Sequence, residues 1–374
     1  MRVLHILTFA IVIFLSVDAL PYDKHKVHTI QLKPKSITRR RLSRRAHGSI
    51  PISVQQSDKA YYRQITFGTG TPQNFDIQFD TGSGDFFVFG KNCGSPACNN
   101  HSKYDPDVDK TFSPIDGKNF SIKYADGAEI SGDSGETTIV IAGLTIEAQE
   151  FGLADEVSDN FTHPFEGVMG MGFSKLSVNG QTPPITNLIK QSPVIDKPQF
   201  SFLLGRETSE LIIGGNRYRA DTLTFTVLVD HNAGAWEIPI DHCVIDGKKL
   251  YPQGRTGTIN TGSEYIVLPP DDARDFYSNI SDAVDHRNGF YSLSCKGEHH
   301  VGLVFRGRTW YIDPIDFTIE VSENVCVGAV IYGNTGSDTK WIIGSAFLKS
   351  VYTIFDPANR QVGFAEIAHN NSTA

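Results

Sequence analysis

The stretch Phe79-Asp80-Thr81-Gly82-Ser83 decides the reading of this chain, because it returns 180 positions later as Ile259-Asn260-Thr261-Gly262-Ser263. A second short motif, Val168-Met169-Gly170, is echoed 174 positions later by Ile342-Ile343-Gly344. Chance could produce either pair alone. Two motifs repeated in the same order at nearly the same offset mark an internal duplication. The chain has 374 residues, enough for two compact units of ordinary size. The repeat divides it into two related lobes, residues 46–218 and 219–374, with the boundary near Asn216 to Thr222.

An apolar strand running into Asp-Thr-Gly-Ser is a turn that presents a carboxylate. Gly82 allows a tight backbone, and the hydroxyls of Thr81 and Ser83 can make hydrogen bonds nearby. The second copy presents the amide of Asn260 in the same frame, with Thr261, Gly262 and Ser263 unchanged in type. One copy in each lobe predicts two such turns meeting across a cleft. Around them, short apolar and β-branched runs alternate with Gly, Pro, Asp and Asn turns: Tyr62 to Phe67, Phe86 to Phe89, Thr137 to Ile141, Leu211 to Ile213 and Val351 to Phe355. Helical periodicity is scarce, and Asp271 to Val284, opening with two acids after Pro269-Pro270, is its best instance. The chain therefore reads as mostly β with many hairpins.

The first residues have the pattern of a signal peptide: Arg2, an apolar run from Leu4 to Val17, and small residues near Ala19. That run is short for a spanning helix, so residues 1–19 are expected to be removed and to leave no membrane segment. Residues 20–45 are strongly basic and end in Arg44-Arg45, a dibasic processing site. Residues 1–45 hold ten basic and two acidic side chains, so the remainder carries 24 basic against 40 acidic, a formal net charge of −16. A basic propeptide docked on an acidic body explains this asymmetry better than a nucleic-acid-binding arm. A secreted, extracellular product follows. Six Asn-x-Ser/Thr sequons, at Asn100, Asn119, Asn160, Asn279, Asn370 and Asn371, are glycosylation candidates for that route. Five cysteines suit it as well. Cys93 and Cys98 suit a small disulfide loop, Cys295 and Cys326 can close a larger one, and Cys243 is left over as a buried thiol.

Together these motifs resemble the pepsin-like aspartic proteases over nearly all of residues 46–368. Phe75 to Val88 resembles the first active-site segment and Thr256 to Pro270 the second. Phe120 to Leu153 resembles the flap hairpin, with Tyr124 at the flap tyrosine. Phe165 to Phe173 resembles the apolar-Gly segment under the first loop, and Trp341 to Glu366 the C-terminal signature. The 93/98 and 295/326 cysteine spacings match, and Ile30 to Arg45 resembles a short propeptide. The resemblance implies a mostly β, bilobal fold with a cleft between two related lobes. It also implies a water-mediated cleavage of peptides in which two aspartates share one proton.

Asp80 matches the first of those aspartates and Asn260 stands where the second is required. An amide keeps the shape and hydrogen bonding of a carboxylate but cannot give and take a proton. The expected result is a cleft that binds an extended peptide or protein segment and cuts it poorly, with Asp80 titrating as a single ordinary carboxylate. Two other readings are an active acid endopeptidase and a structural secreted glycoprotein with an unused cleft. The substrate-binding candidates implied by the resemblance are Gln78, Thr81, Gly82, Ser83, Tyr124, Asp126, Thr261, Gly262, Ser263 and Glu264. Asp126 resembles a flap acid that accepts lysine beside the cut. Glu264 is expected to add negative charge to the cleft. Phe87 stands where relatives carry a tryptophan that donates to the flap tyrosine, and Ala125 where glycine is usual.

Other chemistries lack their signatures. His299-His300 has no third ligand for zinc, Gly68 and Gly70 are followed by no Gly-Lys-Ser/Thr, and no nucleophile elbow is present. No cofactor is expected. The expected state is a monomer whose first partner is its own propeptide.

Overall fold

The strand register follows from alternation of side chains. In β6 (Glu129–Ile141), Thr137, Ile139 and Ile141 are buried while Thr138 and Val140 lie between them half-buried. β7 (Leu144–Val157) opens the same way, with Leu144 and Ile146 inside and Thr145 and Glu147 exposed. Strands covered on both faces read instead as continuous apolar runs, as in β4 (Phe86–Phe89), which is buried throughout. The computed structural model describes residues 28–34, 61–124, 127–191, 195–205, 209–218, 222–229, 234–250 and 254–367. The expected signal peptide, the dibasic pair Arg44-Arg45, Ala125, Asp126, Asn370 and Asn371 lie outside them.

Residues 28–213 supply β1 (His28–Pro34), β2 (Tyr61–Phe67), β3 (Gln73–Asp80), β4, β5 (Ser113–Lys123), β6, β7, β8 (Gly167–Gly170), β9 (Phe200–Leu204) and β10 (Ser209–Ile213). They lie in one thirteen-stranded sheet in the order β9-β10-β1-β2-β3-β8-β4-β7-β6-β5. Beyond β9 the sheet continues into strands from the other end of the chain, Val351–Asp356, Gln361–Glu366 and Thr224–Val227. The two lobes thus share a central sheet. Smaller sheets of five, four and four strands are built wholly from residues 237–343. The chain is mostly β, as its sequence implies.

The duplication is visible as pairing. β3 runs parallel to β8, with Asp80 beside Gly170, and β8 runs antiparallel to β4. In the second lobe Thr256–Ile259 runs parallel to Lys340–Ile343, with Ile259 beside Ile343, and Lys340–Ile343 runs antiparallel to Ile266–Leu268. The two motifs repeated along the sequence are therefore neighbours within each lobe.

β1 comes from the basic leading segment, yet it sits in the middle of the sheet. It pairs with β10 along Ile30–Leu211 and with β2 at Lys33–Tyr62. Ile30 and Leu32 are buried, and the Gln31 amide donates to Glu210 at 3.2 Å. Docking of this segment thus rests on strand pairing and apolar burial, in addition to whatever its charges contribute.

Both expected disulfides form, Cys93–Cys98 and Cys295–Cys326, with Cα separations of 6.2 and 5.2 Å. Cys243 is the buried free thiol. The expected helix over Asp271 to Val284 is shorter: it spans Pro270–Tyr277, and Val284–Asp285 is a strand. Ser278 and Asn279 end it, because both side chains donate to the carbonyl of Asp275, at 2.7 and 2.9 Å. Asn100, Asn119 and Asn160 are exposed, whereas Asn279 is half-buried in this helix stop.

Candidate active site

Each lobe delivers one motif at the end of an apolar strand. β3 ends on Asp80, and Thr256–Ile259 leads directly into Asn260. The repeated glycine segments hold the turns from below: Met171 N–H donates to the Asp80 carbonyl at 2.7 Å, and Gly172 N–H to that of Ser83 at 2.9 Å. In the second lobe Asn260 N–H donates to the Ile343 carbonyl at 3.0 Å, and Ser345 N–H to that of Ser263 at 2.8 Å.

The two turns are stitched together across the lobes. Thr81 N–H donates to Thr261 Oγ1 and Thr261 N–H donates to Thr81 Oγ1, both at 3.0 Å. Each hydroxyl then donates to the opposite strand, Thr81 to the Ile259 carbonyl and Thr261 to that of Phe79, both at 2.8 Å. Both threonines are buried. All four bonds bridge lobes and none is open to water, so they set the separation of the turns.

The glycines let the functional groups meet. A Cβ added at Gly82 would lie 2.1 Å from Asn260 Nδ2, and one at Gly262 would lie 2.3 Å from Asp80 Oδ1. Each polar side chain therefore rests on the bare backbone of the opposite turn, where any larger residue would collide. Asp80 Oδ1 accepts the Gly82 N–H at 2.8 Å. Asn260 Oδ1 accepts the N–H groups of Gly262 at 2.7 Å and Ser263 at 3.2 Å. The amide oxygen is thereby assigned to these donors, and Nδ2 is the atom that faces the first turn.

Asp80 is only 7% exposed. Burial pushes its carboxyl above the ordinary range, and the Ser83 hydroxyl and the Gly82 and Gly262 N–H groups pull the other way without cancelling it. The expectation of an ordinary titration is corrected accordingly: loss of a like-charged neighbour does not restore the ordinary value, because desolvation acts by itself. The site thus offers one buried carboxylate as acceptor and one neutral amide as donor. Of this pair, Asp80 alone can take a proton.

The remaining candidates lie around this pair. Gln78, two residues before Asp80 on β3 and so on its face, is 8% exposed and lies between Tyr62 and Val168 on the neighbouring strands. Tyr124 directly follows β5 in the hairpin with β6, its N–H donating to the Ala128 carbonyl at 2.8 Å, and Gly127 turns the chain with φ +86°. The tyrosine packs on the apolar cluster that holds Phe87, and Phe87 stacks on Phe120 with centroids 6.1 Å apart. The Ser263 hydroxyl donates to the Tyr265 carbonyl at 3.1 Å, so it serves its own turn. Glu264 is half-buried, and its carbonyl accepts the Ala346 N–H at 2.8 Å.

Two supports of the site were not anticipated from the sequence. Asp85 is buried and binds a distant loop: its carboxylate accepts the Ser177 hydroxyl at 2.5 Å, Val178 N–H at 2.9 Å and the Asn179 amide at 3.0 Å. Trp236 donates its indole N–H to the Met171 carbonyl at 3.0 Å, tying the second lobe to the segment under Asp80. Asp85 follows the first motif closely enough to invite attention, but its partners lie more than 90 positions away. Nothing local marks Trp236.

A model of the family described as "Eukaryotic aspartyl protease" matches residues 60–367. The chain is 31% identical to "Rhizopuspepsin" of Rhizopus chinensis over 363 residues, covering 93% of this chain and 86% of that protein. It is 35% identical to "Probable vacuolar protease A" of Arthroderma benhamiae over 323 residues, covering 82% and 78%. Against "Cathepsin E-B" of Xenopus laevis the identity is 29% over 334 residues, covering 84% and 81%.

Proposed function

This chain belongs to the eukaryotic aspartyl protease family, and we propose that it is a pepsin-like member whose cleft binds an extended peptide or protein segment but cuts it poorly. The observation that carries the reading is Asn260, placed over Gly82 as Asp80 is placed over Gly262. Cleavage by a water needs one group to take its proton and another to give a proton to the carbonyl oxygen, and the two exchange roles as the bond breaks. Asp80 serves as the base. Asn260 can hold the water by hydrogen bonding but supplies no exchangeable acid. The cross-lobe bonds of Thr81 and Thr261 keep the turns in register, so binding outlives catalysis. The peptide adds as a strand beside the β5–β6 hairpin, with Tyr124 and Gln78 against its side chains.

In this reading the protein is made as a precursor and secreted. Residues 1–19 are removed as a signal, and residues 20–45 act as a propeptide released at Arg44-Arg45. The two disulfides support an oxidising route. Among the described residues no helix is long and apolar enough to cross a membrane.

The test is to incubate processed protein with a denatured protein substrate at acidic pH, beside an Asn260→Asp variant. The variant is expected to cut about 10²–10⁴-fold faster than the wild type. Equal cleavage by both overturns the impaired reading. If neither cuts and neither binds peptide, the cleft is unused.

A further inference from the structure

We infer that this cleft grips a hydroxyl set in place of a peptide bond through a permanent donor–acceptor pair, the Asn260 amide N–H and the Asp80 carboxylate, and therefore holds such ligands more tightly as pH rises. This deepens the peptide-binding reading above and rests on it. Asn260 Oδ1 is committed to the N–H groups of Gly262 and Ser263. Among the described residues no hydrogen bond is donated by Nδ2, which lies toward the turn that carries Asp80. Asp80, with its Oδ1 on the Gly82 N–H, is the acceptor opposite. One hydroxyl can donate to Asp80 and accept from Nδ2 at once.

The pH dependence follows from which partner can lose its proton. In a site of two carboxylates, a hydroxyl needs one of them protonated as donor, and rising pH removes that proton. The amide N–H of Asn260 does not titrate. Here the complete pair instead requires Asp80 to be ionised, because a protonated Asp80 is the poorer acceptor. Raising the pH through the Asp80 titration thus completes the site, and nothing afterwards dismantles it. The groups that act on Asp80 from its own turn are Gly82 and Ser83, and from the opposite turn Gly262; none titrates and none is a cation. Below it, Met171 takes its backbone carbonyl. The charged side chains nearest along the two turns are Asp85, which is committed to Ser177, Val178 and Asn179, and Glu264.

The probe is a peptide in which a –CH(OH)–CH2– unit replaces one peptide bond, with its dissociation constant measured from the ordinary carboxylate value of about 3.9 upward, to the highest pH at which the protein stays folded. Four proteins are compared: the wild type, Asn260→Asp, Asp80→Asn and Glu264→Gln. Affinity of the wild type should rise about tenfold over this range, the difference between a charged and a neutral acceptor. Asn260→Asp should lose affinity over the same range, Asp80→Asn should be flat, and Glu264→Gln should keep the wild-type rise. Wild-type affinity that falls with pH, or a rise that survives in Asp80→Asn or vanishes in Glu264→Gln, overturns the inference while leaving peptide binding intact. Absence of binding by both the wild type and Asn260→Asp at every pH defeats the peptide-binding reading itself, and this inference with it.

Discussion

At the scale of single residues, the site is two turns held in register by two threonines. Thr81 Oγ1 both accepts the Thr261 N–H and donates to the Ile259 carbonyl. Thr81→Val keeps the shape and leaves both backbone groups buried without a partner, which should cost about 2–4 kcal/mol. A lowered urea midpoint would register this, and Thr81→Ser should recover most of it. Asp80 leaves a pH signature on stability as well. Its folded carboxyl is held above the unfolded value of about 3.9. The folded state therefore keeps its proton longer than the unfolded state, and stability falls as pH rises from the unfolded value through the folded one. Asp80→Asn should abolish that fall, as seen by comparing denaturation of the two proteins across the acidic range. The Asp and Asn letters were legible in the sequence. The raised titration was not, because desolvation depends on everything packed around the carboxylate.

At the scale of elements, the cysteines illustrate how spacing becomes energy. Cys295–Cys326 closes a loop of 31 residues and Cys93–Cys98 one of five. On loop-closure entropy the larger should stabilise by about 4 kcal/mol and the smaller by about 2 kcal/mol. Replacing each pair by serines and measuring thermal unfolding should show the larger loss for 295/326. Pairing and strands were read correctly because they rest on local spacing and alternation. The helix was read too long: the side chains of Ser278 and Asn279 compete for the Asp275 carbonyl, and apolar periodicity carries no sign of that competition.

At the scale of the whole molecule, the lobes are joined by one sheet with β1 at its middle. Leu32 is 5% exposed there, between β10 and β2. Leu32→Ala in the unprocessed chain should cost about 2–4 kcal/mol, read as a lowered thermal midpoint. No loss would mean that β1 contributes little to the sheet. The basic composition of this segment pointed to electrostatic docking, while its apolar residues and backbone pairing were hidden by the surrounding charge.

The sequence by itself determined the duplication, the β character, the cysteine pairs and the identity of the two residues that end the key strands. All of these rest on local spacing or on repetition along the chain. Tertiary structure alone decided that Asp80 and Asn260 each lie over the opposite glycine, that Asn260 turns its amide N–H toward Asp80's turn, and that burial lifts the Asp80 titration. These depend on contacts between residues about 180 positions apart, where geometry is set by packing and no local pattern records it.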